Sequence, residues 1–577
     1  MAASTDRLEL AAAFPAATSD EWRAMVAGVL RKSGVDGDPV EALTVQSYDG
    51  IRIRPLYDGP AGRHSPPVTR AAWDVRALHG DPDPSRTRQA ALDDLTGGAT
   101  SLWLRLGAGG LPVSALAAAV DGVYLELAPL ALDAGAETRE AAQAFLDLAR
   151  PLDPAQIAGT LGADPIGLRA RTGAPAELSL LAELADLARP YPALRVATVD
   201  ATVYHSAGAS DADEVAIATA VGVAYLRAMS DAVVPVDEAF RSVEFRFAAT
   251  ADHFLTIAKL RAARQLWTRV AELSEVRDGT QYQHAVTSAA MMTRRDPWVN
   301  MLRTTIGCFA AAVGGADAIT VLPFDAAIGL PDDFARRIAR NTQAILHDES
   351  SLARVSDAAG GSGYVEALTA ELAQRAWDEF TAIERAGGAL AALDGGHVVA
   401  RIAASRAARA ADIAHRRFAI TGVSEFALPD EAPVSRPVAP ATPSGGPLPA
   451  IRYSAEFESL RDTVEAADPR PYVYLATLGP LAAHSARVGF ARNLFNAGGF
   501  RVVVGPAEAY DGAAVACLCG RDEDYREEGT AVAGALRDAG ARHIWLAGFP
   551  AIDGVDDVIT KGSDALAVLR RTLEVAQ

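Results

Sequence analysis

The chain has 577 residues, too many for one ordinary domain, so two large ones are expected. Half of the residues are apolar and 22% are charged, the balance of a globular protein with ample core material. A net charge of −19 argues against nucleic acid and against anionic membrane surfaces, which attract clustered Lys and Arg. The three cysteines (Cys308, Cys517 and Cys519) form no CxxC or zinc-type pattern, so neither a disulfide framework nor a metal site is expected. No apolar run approaches the roughly 20 residues of a membrane span. The N-terminus lacks the basic and apolar regions of a signal peptide. A cytoplasmic protein is the expectation.

Residues 1–35 read as a helical arm. Its helix, SDEWRAMVAGVLRKSG, has Ser19 or Asp20 as a cap, an apolar stripe of Trp22, Met25, Val26 and Leu30, and Gly34 as its stop. Such a stripe packs either on its own domain or on another subunit. From about residue 100, β-prone runs alternate with helical patterns. The expected strands are 101–107, 122–128, 156–162, 195–201, 243–249, 282–288, 317–323 and 352–357. Their spacing leaves room for a crossover helix between neighbours. Eight such units predict a (β/α)8 barrel of the TIM type over residues 36–364, although an open doubly wound sheet would give a similar pattern.

Residues 365–425 read as a helical belt, continuous over 365–420, and residues 426–470 as a Pro-rich linker. Residues 471–577 begin a new α/β alternation: YVYLATLG, FRVVVGP, AAVACLCG and HIWLAGF as strands, with helices between them. This predicts a flavodoxin-like, doubly wound domain.

Several long segments are similar to acyl-CoA mutases of the methylmalonyl-CoA mutase family: HSAGASDADEVAIATAVGVAYLR (205–227), FRFAATADHFLTIAKLRAARQLW (245–267), DPWVNMLRTTIGCFAAAVGGADAITVLPFD (296–325) and residues 337–377. The first resembles the family's segment after barrel strand four, the second its strand five. The resemblance covers nearly the whole chain and is weakest over 36–100. It implies a barrel that encloses an acyl-CoA thioester, joined to a domain that carries adenosylcobalamin. Such enzymes interconvert (R)-methylmalonyl-CoA and succinyl-CoA by a radical rearrangement, with the cofactor supplying the difficult chemistry.

Measured against the family pattern, the functional positions are altered. The cobalt-ligand motif Asp-x-His-x-x-Gly aligns with Ala482, His484 and Arg487, so the histidine survives without its orienting Asp or its clearance Gly. His484 then reads as a vestige, a surface residue near a strand end. Acidic CLCGRDEDYREEG (517–529) replaces the small-residue stretch beside the cofactor tail, where unpaired carboxylates would be costly. Ala547-Gly548 replaces a Gly-Gly, and Lys561-Gly562-Ser563 a Pro-Gly-Thr turn.

In the barrel, Thr202-Val203 stand where the family has Tyr-His, and Tyr204-His205 fall two residues later unless a local gap restores their register. Gly162 occupies the substrate Gln position, and Thr172, beside Arg171, that of the carboxylate-binding Arg. The aromatic stretch before the first strand has become AGRHSPPVTRAAWDVRALHG (61–80).

The resemblance therefore implies no catalytic, cofactor-binding or metal residues in this chain. It implies a silent partner of a homologous catalytic subunit that holds the adenosylcobalamin, with a mutase-repair GTPase as a further candidate partner. A divergent active acyl-CoA mutase and a stand-alone acyl-CoA-binding or regulatory protein are the alternatives.

Overall fold

The computed structural model describes residues 15, 17–57 and 72–577. Eight parallel strands close into a barrel: β1 Asp74–His79, β2 Ser101–Arg105, β3 Leu130–Asp133, β4 Ala158–Ala163, β5 Ala193–Asp200, β6 Val243–Ala249, β7 Tyr282–Thr287 and β8 Ala318–Thr320. β8 pairs with both β7 and β1, which completes the ring. Two of the eight expected strands lie elsewhere. Residues 122–128 form a turn, with Gly122 at φ +89° and the Tyr124 carbonyl accepting from Leu127 and Ala128, and the strand follows at β3. Residues 352–357 are also not extended, because Ser351 and Asp357, at φ +57° and +50°, bend the chain around a short helical turn. The missing strand is β1. Its inward Arg76 interrupts the apolar pattern that marks a buried parallel strand. The segment at 205–227 accordingly follows the fifth strand, and 243–249 is the sixth.

The helix Ser19–Lys32 is capped by Thr18 rather than by Ser19 or Asp20, in a reciprocal capping box with Glu21. None of its residues is buried, and Met25 is 65% exposed. The helical region after the barrel is three helices, Gly363–Arg385, Ala389–Asp394 and His397–Ala414. Gly387, Gly388 and Gly396 break them with positive φ, a conformation costly for other residues. The Pro-rich segment then crosses the C-terminal face of the barrel. Its backbone bonds to Leu330, Arg171, Ala170, Ser206 and Ala290 in turn, before the helix Ala455–Glu465.

The C-terminal sheet has five parallel strands, β9 Tyr472–Thr477, β10 Arg501–Pro506, β11 Val515–Cys519, β12 His543–Ala547 and β13 Asp557–Ile559, in the order β10-β9-β11-β12-β13. The helix Leu481–Ala497 connects β9 to β10 and packs on the sheet. Among the described residues, no helix is long and apolar enough to cross a membrane, and no group of three His, Cys, Asp or Glu could hold a metal ion.

Candidate functional site

The axis of the barrel carries charge. On β1, Arg76 reaches across to β6, where Nη1 donates to both carboxylate oxygens of Glu244 at 3.0 and 3.1 Å. Burial pushes the Glu244 carboxyl up, but Arg76, His284 and Arg246 together outweigh it and hold the group well below the usual range. One turn of the strand pattern further on, Arg246 donates to Asp200 Oδ2 at 3.0 Å and to His284 Nδ1 at 3.3 Å. Its guanidinium stacks 4.0 Å from the Trp103 ring. His284 Nε2 donates to Thr320 Oγ1 at 2.8 Å, since that hydroxyl itself donates to the Arg76 carbonyl. Burial and Arg76 push the His284 pKa down to about 3, so the ring is neutral. These contacts fill the interior from β1, β2, β5, β6, β7 and β8. Glu244 and Arg246 alternate with apolar residues in VEFRFAA, and that period of two was the signal in the sequence for an inward charged face.

At the C-terminal mouth, His205 lies in the short helix Thr202–Ala207, buried, with both ring nitrogens engaged. Nε2 is 2.7 Å from Ser288 Oγ and Nδ1 is 3.3 Å from Glu214 Oε2. Tyr453, from the segment crossing the mouth, brings its hydroxyl within 3.5 Å of Nε2. Glu214 in turn accepts from Lys259 at 2.7 Å and from the Ala248 amide at 2.8 Å. Gly162 sits at φ +75°, and a Cβ there would lie 1.9 Å from the Leu132 carbonyl oxygen, so this backbone accepts no side chain, glutamine included. Thr172 turns its hydroxyl back to the Leu168 carbonyl at 2.7 Å. Arg171 faces Asp133, Asp164, Asp200 and Arg246 in the same mouth. Of the stretch 61–80, residues 61–71 lie outside the described residues, and 74–79 are β1 itself.

The crevice at the carboxyl ends of β9, β11 and β12 is where an open parallel sheet usually takes a ligand. His484 lies here in the first turn of a helix, not at a strand end. The Gly479 carbonyl accepts from its Nδ1 at 3.2 Å, so a backbone oxygen takes the orienting role that Ala482 lacks. Arg487 points into the crevice. It donates to the Ala547 carbonyl at the end of β12 and to Asp522 Oδ1 at 2.9 Å. A Cβ on Gly548 would coincide with the Arg487 guanidinium, at 0.8 Å.

Beneath it, Tyr525 is fully buried. Its hydroxyl accepts from the Gly520 amide at 2.8 Å and reaches the Ala547 carbonyl at 2.8 Å. Two acidic side chains in the first turn of the helical segment 522–538 are paired, contrary to expectation: Asp522 with Arg487 and Asp524 with Arg521 at 2.8 Å. Tyr525 was missed because the segment reads as a charged run. Its aromatic ring is the one large apolar group in DEDYREE.

The family model for methylmalonyl-CoA mutase matches residues 105–443, more than half of the chain. This chain belongs to the methylmalonyl-CoA mutase family. The methylmalonyl-CoA mutase small subunit of Streptomyces virginiae is 53% identical over 99% of this chain and 98% of its own length. The small subunit from Propionibacterium freudenreichii subsp. shermanii is 38% identical over 98% and 96%. The likeness to a large subunit is more restricted: that of Porphyromonas gingivalis is 37% identical over 40% of this chain and 33% of its own. Within this family member, the barrel and the crevice are the two places where the altered residues gather.

Proposed function

We propose that the chain is the non-catalytic small subunit of a heterodimeric methylmalonyl-CoA mutase. Its larger homologous partner binds adenosylcobalamin and interconverts (R)-methylmalonyl-CoA and succinyl-CoA. The observation that carries this reading is the crevice of the C-terminal domain. Its strand order, second-first-third-fourth-fifth, supports a flavodoxin-like fold of the cobalamin-binding type. The Arg487 guanidinium lies against Gly548 at the end of β12, and Tyr525 is buried beside it, so both occupy the crevice where a ligand of an open parallel sheet would sit. The residues present therefore do not fit the cofactor, although His484 is still oriented by a backbone carbonyl.

The barrel supports the same reading. An acyl thioester on the axis would have to displace paired, buried charges, and removing one partner of such a pair leaves the other uncompensated. His205 has no nitrogen left for substrate. Likeness to two small subunits over nearly their whole length supports the heterodimer. A role as structural support also accounts for a retained core beside altered sites.

Co-expression with a full-length large homologue, followed by size-exclusion chromatography and a mutase assay on the isolated complex, tests the reading. A one-to-one complex with activity is expected, and no activity from this chain alone. Turnover by the isolated chain, or failure of the two chains to associate, would refute it.

A further inference from the structure

A cavity of about 500 Å³ opens at the C-terminal rim of the barrel, over the ends of β1, β2 and β8. This is the side of the ring opposite His205, which follows β5. Leu78, Leu322 and Leu330 give it apolar walls, and Pro437 and Pro440 of the crossing segment roof it. The roof is fastened: the Pro437 carbonyl accepts from Leu330 at 2.8 Å, and Arg436 pairs with Asp325 and with Asp332 at 2.8 Å. The volume lies within the range of sites that take small organic molecules, roughly 300–1,000 Å³.

The charged groups around this cavity are spoken for, with one exception. Arg86 lies 4.0 Å from Asp81, Arg336 pairs with Asp333 and the Pro331 carbonyl, and Asp332 pairs with Arg436. The Arg105 guanidinium, at the end of β2, makes no hydrogen bond or ion pair with any described residue and lies 5.8 Å from the Trp103 ring. The nearest carboxylate on the adjoining strand, Asp133, is shared with Arg246 and Arg171. Burial lowers the proton affinity of Arg105, with Arg171 and Arg246 adding to the effect against Asp133.

Its stem passes beside Gly80 and Gly109, where a Cβ would meet Arg105 Cβ at 3.4 Å and Cδ at 3.8 Å. A part-buried guanidinium without an ion pair, facing a largely apolar cavity, is half of a charge-assisted pair.

We infer that this cavity binds an amphiphilic anion, its carboxylate or phosphate head on Arg105 and its apolar chain against Leu78, Leu322 and Leu330. The inference is independent of the non-catalytic reading above, since the site touches neither the crevice nor His205.

Isothermal titration of the full chain with octanoate, octyl phosphate and octanol tests it. At least one anion should bind with one-to-one stoichiometry, and octanol at least about 10-fold more weakly, the usual scale for losing a charged hydrogen bond. Arg105→Gln should lose the anion by a similar factor. Ala326→Phe, which enlarges a lining side chain of the segment after β8, should block binding with the folded state retained by circular dichroism, and it keeps the test open should Arg105→Gln fold poorly. Whichever anion binds more tightly supports the site and names its head group. Equal affinity for octanol and octanoate, full binding by Ala326→Phe, or no binding of either anion at millimolar concentration would overturn it.

Discussion

In the barrel, the central space is taken by charged side chains from several strands that pair with one another across the axis. In the C-terminal domain, the crevice is closed by two side chains from two helical segments, Arg487 and Tyr525, which lean on strand ends. The first arrangement belongs to the core, so it is coupled to the stability of the whole ring. The second sits at an edge, and a change there leaves the sheet behind it intact. The two regions thus differ in how much of the fold depends on the side chains that fill them.

The largest expected effect is in the barrel. Glu244→Ala leaves buried Arg76 with only Asp74, at 3.3 Å, as a carboxylate partner, and breaking a buried pair costs about 3–5 kcal/mol. Urea unfolding followed by tryptophan fluorescence should show that loss; a loss under about 1 kcal/mol would mean the axis is wet. In the crevice, Tyr525→Phe removes a hydroxyl that serves Gly520 and Ala547, and should cost about 1–3 kcal/mol. Full stability in that variant would show that water takes the place of the hydroxyl, and that the crevice is open.

A smaller effect separates the mouth from the axis. Burial, with Asp200 adding to it, raises Asp164 to about 7, and burial with Asp211 does the same for Asp49. Both folded values lie above the ordinary Asp value of about 3.9. The folded chain therefore holds protons that the unfolded chain releases. This stability is full below about pH 4 and is lost as pH rises through about 7. The melting temperature should fall between about pH 4 and pH 7 and level off above it. Asp164→Asn keeps the acceptor for Tyr225 and Gly167 and should flatten that fall; an unchanged slope would count against it. The smallest effect is at His484, whose only described hydrogen bond is to Gly479. His484→Ala should change stability by no more than about 0.5 kcal/mol, as read by differential scanning calorimetry.

Most of the barrel was legible because buried parallel strands are continuous apolar runs, and β6 was bounded correctly to the residue. β1 was hidden by Arg76, whose partner Glu244 lies 168 positions away, a separation that no local pattern reveals. The altered crevice was visible in Ala482 and Arg487, but its contacts were not. The carbonyl that orients His484 is backbone, which every sequence has. The ion pairs of Asp522 and Asp524 depend on a helix that starts beside Arg487, with Arg521 as its N-cap. Positions were readable where chemistry is local, and partners were not where the fold supplies them.

The central claim is that this chain holds no cobalamin of its own. Its direct test is to incubate the purified full-length chain with adenosylcobalamin at micromolar concentration, pass it through a gel-filtration column, and read the visible spectrum of the protein peak. With Arg487 and Tyr525 filling the crevice, the peak should be colourless. A red peak carrying one cofactor per chain would contradict the account.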